Sequence, residues 1–179
     1  MRTTDYGKKV GNALKAIAIM HSQVSKLLID CDGLFPEYES VFGNIATRDL
    51  TYNVKANFWM AEGVYRYWIK EANPLIGVTA MFYSSEGRLE QPLLVAGQIQ
   101  YLDDNAKTIK ELCDPWHLWY GVMDWAQSPS CIGDVIELSN PDGKGTIHYM
   151  RLATVPLFNI ETLDDVKDLF KRIGVEFSK

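Results

Sequence analysis

Four residues could do acid–base work if the fold collected them: Asp134, Glu137, His117 and His148. Two carboxylates and an imidazole would suit a small hydrolase or nuclease-like enzyme, with one group taking a proton as another gives it. Their spacing works against that reading. Asp134 and Glu137 stand three apart in a stretch with strand character, which points them to opposite faces. Gln98 and Gln100, both neutral, occupy the strand where a partner acid would be sought. His21, His117 and His148 are far apart and lack metal-ligand spacing, and a two-metal nuclease needs clustered carboxylates. No metal and no cofactor are expected. Neither a Gly-x-Ser-x-Gly elbow, a His-Glu-x-x-His pair nor a dinucleotide fingerprint occurs. The glycine-rich run 140–145 has no Walker pattern and no helix after it, so it reads as a turn.

Asp30, Cys31 and Asp32 place two carboxylates beside a thiol, which raises the question of a cation site. On a continuing helix the two acids point about 160° apart, so they are expected to end the helix as solvated groups. The three cysteines, Cys31, Cys113 and Cys131, include no Cys-x-x-Cys pair and are odd in number. Unpaired, buried thiols in a cytoplasmic protein are the simplest account. His21 falls on an apolar helical stripe and is expected at the edge of the core rather than in a cleft.

The densest chemical feature is aromatic. Trp116, Trp119 and Trp125 fall within ten residues, and on one α-helix Trp125 lies about 120° from Trp119, beside Leu118 and Val122. A single buried stripe cannot hold all three. Trp125, Leu118 and Val122 are therefore expected to pack against a second copy or a protein partner, unless the segment bends after Gly121. Arg66, set among Tyr65, Tyr67 and Trp68, could offer a stacking platform for a base or anion, or simply lie over an aromatic rim. A net charge of −5 argues against nucleic acid as the main partner. The reading favoured is thus a non-enzymatic interaction or regulatory domain working through an aromatic-rich surface. The hydrolase is the alternative.

The elements that must position these groups can be read next. At 179 residues, with 47% hydrophobic residues, the chain suits one domain with a core of its own. Lys15 interrupts the only early apolar run, so neither a signal peptide nor a membrane span is expected. Val10, Leu14, Ile17, Val24, Leu28 and Cys31 mark one stripe of a helix, capped by Thr4 or Asp5 and followed by Gly33. Residues 53–71 satisfy both helical spacing and strand alternation, and helix is favoured. Ile76–Tyr83 and Leu93–Tyr101 read as a hairpin, and so do Cys131–Ser139 and Thr146–Val155 around Pro-Asp-Gly. Asp103, Asp104 and Asn105 are candidate N-caps of one short helix, and Asp114 as N-cap with Pro115 at the first helical position is expected to open another. A last helix follows Thr162, with Leu163, Val166, Phe170 and Ile173 as its buried stripe. The expected fold is α+β: an antiparallel sheet of four to five strands built from two hairpins and covered by N-terminal, central and C-terminal helices.

Overall fold

The computed structural model describes residues 2–42, 47–48, 62–82, 84, 88–126 and 133–177. Its order is α1 (Arg2–Asp30), a 3₁₀ turn Cys31–Leu34, β1 (Glu39–Ser40), β2 (Thr47–Arg48), β3 (Gly63–Lys70), β4 (Ala72–Met81), β5 (Leu93–Tyr101) and α2 (Ala106–Leu112). There follow α3 (His117–Tyr120), a π turn Gly121–Trp125, β6 (Val135–Ser139), β7 (Ile147–Pro156), a 3₁₀ turn Leu157–Asn159 and α4 (Leu163–Arg172). The α+β class holds, with six strands in the antiparallel order β1-β3-β4-β5-β7-β6 rather than four or five, and β2 also pairs with β3.

The extra strand comes from the stretch 53–71, where the spacing favours helix. Gly63–Lys70 is strand, flanked by β4 on one side and β1 on the other; residues 53–61 lie outside the described part. Alternation decides the outcome here, because it sends Val64 and Trp68 to one core and Tyr65, Tyr67 and Ile69 to the other. A helix would have mixed the two sets. Glu71, at φ 59°, turns the chain directly into β4.

Both faces of the sheet are covered. Ile76, Val78, Ala80 and Phe82 meet Val24, Leu28, Val166 and Phe170 in the first core. Val95, Ile99 and Tyr101 meet Ile109, Leu118 and Val122 in the second. The first hairpin therefore supplies two walls, one per face, and its central strands are apolar almost throughout. Gly77 and Gly97 are cross-strand partners. A Cβ built on Gly97 would stand 2.1 Å from a Leu118 methyl, and one on Gly77 would stand 2.4 Å from the Tyr67 ring. These two positions form a notch that seats α3 against the sheet.

α4 behaves as its sequence indicates. Val166, Phe170 and Ile173 are fully buried, Leu163 is half-buried, and Leu169 joins the core. Thr162 and Asp165 form a reciprocal capping box, worth about 1 kcal/mol.

Candidate functional site

The aromatic segment is built differently from a single α-helix. Asp114 accepts the Trp116 N–H at 2.9 Å, and the Tyr67 hydroxyl donates to the Pro115 carbonyl at 3.0 Å while accepting the Leu118 N–H at 3.3 Å. α3 thus starts pinned to the sheet, at His117 behind an N-cap at Trp116 rather than at Pro115 behind Asp114, whose carboxylate makes a local turn instead. After one turn it widens, and the Ala126 N–H reaches back to the Gly121 carbonyl at 3.0 Å. The wider turn changes where Trp125 lands. Its ring lies 5.6 Å from Tyr120 and 6.1 Å from His117. Leu118 and Val122, expected at an interface, are buried inside the chain instead. Trp119 is buried as well, and Trp116, Tyr120 and Trp125 are half-buried against the same core. The π turn from Gly121 sets Trp125 against its own chain, half-buried, while Trp116 and Trp119 are placed by the turn before it.

Beneath them runs a polar chain. The Tyr101 hydroxyl lies 3.0 Å from His117 Nδ1, and the Asp114 backbone N–H donates to the same nitrogen at 3.3 Å. With Nδ1 accepting, the neutral ring carries its proton on Nε2. Burial lowers the His117 pKa, against the opposing pull of Asp114 and Asp142. Burial also pushes the Cys113 thiol up to about 12, although a hydrogen bond with Tyr101 works the other way. A thiol held protonated in this way is not an activated nucleophile at neutral pH.

Arg66 is placed by the strand correction. Alternation puts it with Trp68 on the face covered by α1, where it is 2% exposed. Its Nε donates to Asp32 Oδ1 at 2.9 Å and its second nitrogen to Oδ2 at 2.5 Å, while the Trp68 indole N–H donates to Oδ1 at 2.8 Å. Arg66 is therefore a buried anchor for the end of α1 rather than an open platform. Asp32, expected as a solvated helix end, is its counter-ion. Burial alone would raise the Asp32 pKa; the hydrogen bonds from Arg66 and Trp68, and the Arg66 charge, outweigh it and hold the carboxyl low. The neighbouring Cys31 thiol is pushed up to about 12, by burial first and then by Asp32 and Asp30. Cys31 and Cys113 are free thiols; Cys131 lies outside the described residues.

The acid–base quartet is not brought together. Glu137 pairs with Arg151 at 3.1 Å, on the side of β6 that faces the first core, because its neighbour Val135 packs there. His117 covers the opposite face. Asp134 and His148 are exposed at the two ends of the second hairpin. Among the described residues no group of three or more His, Cys, Asp or Glu side chains could hold a metal ion, and no helix is long and apolar enough to cross a membrane. His21 is stacked on Phe82 with centroids 4.5 Å apart, at the core edge.

The feature missed from sequence lies on α1. The helix begins at Arg2, so Asp5 sits inside its first turn, paired with Lys9 at 3.1 Å, and does not cap it. Its 29 residues span about 43 Å, longer than the roughly 30 Å width of a small domain. Val24 and Leu28 are buried, yet Val10 and Leu14, on the same stripe, are 40% and 62% exposed, and Tyr6 is 73% exposed. Where the stripe meets the body, an open groove of about 430 Å³ runs beside it. Met20, Val24 and Leu27 form one wall, Leu157, Phe158 and Ile160 the other, with Asp30 and Glu161 at the rim. The available signal was Tyr6, one helical turn before Val10 and on its stripe.

Compared with family models, with characterised proteins and with solved structures, the chain matches nothing in any of the three.

Proposed function

We propose that this chain is a non-enzymatic interaction domain whose contact surface is the N-terminal half of α1. One observation carries the reading: a continuous apolar stripe that is core from Val24 onward and bare from Tyr6 to Leu14. A helix of this composition draws most of its stability from packing of its apolar face rather than from propensity, and Gly7 and Gly11 weaken it further by about 1 kcal/mol each relative to Ala. Leaving such a stripe in water forgoes stabilisation that a partner would supply. The tryptophan segment, the other candidate surface, spends most of its apolar area on its own core. The interaction reading therefore moves from Trp116, Trp119 and Trp125 to the helix.

Hydrogen exchange at high dilution tests this reading. Amides of residues 5–17 should exchange far faster than those of residues 24–28, as expected of a helix half that waits for its partner. Equal protection of both halves would mean that the chain itself covers the stripe, and the reading would fall.

A further inference from the structure

We infer that the partner is a second copy of this chain, which receives the bare half of α1, antiparallel, in the groove between α1 and residues 157–161. This rests on the interaction reading above and names its occupant.

Spacing supplies the first reason. Tyr6, Val10, Ala13, Ile17, Met20, Val24 and Leu27 follow one another at alternating steps of four and three, the spacing of a helix-pairing seam. The first part of this seam is the bare half, and Met20, Val24 and Leu27 line the groove. Antiparallel pairing about a two-fold axis near Ile17 and Met20 lays the first part of each copy on the last part of the other. Val10 then meets the partner's Leu27, and Ile17 meets the partner's Met20, all of them residues that their own chain leaves partly open. The contact is isologous and closes with two copies. Each copy's unfilled groove receives the other copy's uncovered helix, and Phe158, 69% exposed at the groove lip, gains a cover.

Charge supplies the second. α1 carries Lys8, Lys9 and Lys15 in its bare half, in a chain of net charge −5. The groove rim offers Asp30 and Glu161, with Lys26 the one cation among its described residues. At about 100° per residue, Lys9 and Asp30 lie on the same flank of the seam, and like flanks meet when two helices run antiparallel. Lys9 of one copy is thereby set against the carboxylates of the other. Parallel pairing of two bare halves would instead gather the lysines of both copies and leave the groove open. The charge pattern thus favours the antiparallel arrangement and gives it specificity.

A pair of variants tests the geometry, and a charge swap tests it independently. In a Cys131→Ser background, chosen because Cys31 and Cys113 are buried, the double variant Val10→Cys, Leu27→Cys should give a covalent dimer with a short bis-maleimide. Neither single variant should do so. Within one copy the two positions are about 25 Å apart along the helix, beyond the reach of the reagent. Separately, Lys9→Glu or Glu161→Lys should weaken the dimer on the order of tenfold, and combining them should restore it; both side chains are exposed, so neither change threatens the fold. Crosslinking of Val10→Cys alone, or a charge swap that fails to recover dimer, overturns the proposal. A monomeric chain that still exchanges rapidly over residues 5–17 also overturns it, while leaving the interaction reading in place.

Discussion

The two halves of α1 share one stripe and one helix, yet they do different work. From Val24 to Cys31 the stripe is sealed by the sheet, by α4 and by the Asp32–Arg66–Trp68 cluster. From Tyr6 to Leu14 it has water beside it. Periodicity is the same in both, so periodicity reports which face of a helix is apolar and says nothing of what will cover it. Coverage depends on the length of the helix against the width of the body. That contrast predicts that equal substitutions in the two halves will have unequal consequences.

Leu28→Ala in the covered half should destabilise the monomer by about 2–5 kcal/mol, the usual cost of a large-to-small change in a sealed core. Leu14→Ala in the bare half should stay within about 0.5 kcal/mol. Urea unfolding at a concentration low enough to keep the chain monomeric separates them, and matching losses would erase the distinction between the halves.

Asp32→Asn should cost about 3 kcal/mol, toward the lower end for a broken buried pair because Asp32 keeps a side open to water. The pH dependence has a definite sign. The carboxyl is held below its usual 3.8 in the fold, so its contribution is fully present above about pH 4. It is lost as the pH falls through the lower folded value, since the unfolded chain there binds more protons. Unfolding midpoints measured from pH 6 down to pH 2 should fall less steeply for Asp32→Asn than for the wild type. Equal slopes would show that the pair does not anchor the covered half.

Gly97→Ala on the opposite face should cost about 1–3 kcal/mol through collision with Leu118. It should leave association unchanged, which separates loss of fold from loss of contact. The one stabilising change is Gly11→Ala, where an added Cβ meets nothing within 4 Å. It should raise local helix stability by up to about 1 kcal/mol, visible as greater ellipticity at 222 nm and slower exchange in the bare half. No change would mean that this half is already held.

Elements with strong local punctuation were legible. Thr162 with Asp165, Pro141-Asp142-Gly143 and Asn105 each act through a side chain near in sequence, and each appears in its expected role. What escaped depended on distant partners. β3 shows helical and strand periodicity together, and only pairing with β1 and β4 decides between them; its turn is made by Glu71 in a left-handed conformation, where no glycine or asparagine marks it. The π turn shifts Trp125 because hydrogen bonding widens by one residue, which residue types do not announce. Arg66 and Asp32 lie 34 residues apart, and their pairing follows from the strand assignment that local signals left open. The acid–base quartet was doubtful from spacing, and the sheet sets Glu137 and His117 on opposite faces.

Sedimentation of the wild type beside Leu14→Asp and Trp125→Ala, with unfolding curves for all three, tests the central claim most directly. The account predicts a concentration-dependent dimer for the wild type and for Trp125→Ala, whose ring packs within its own chain. Leu14→Asp should be a monomer with an unaltered unfolding midpoint when measured under monomeric conditions. A wild type that stays monomeric, or a Leu14→Asp variant that dimerises as well as the wild type, would contradict it.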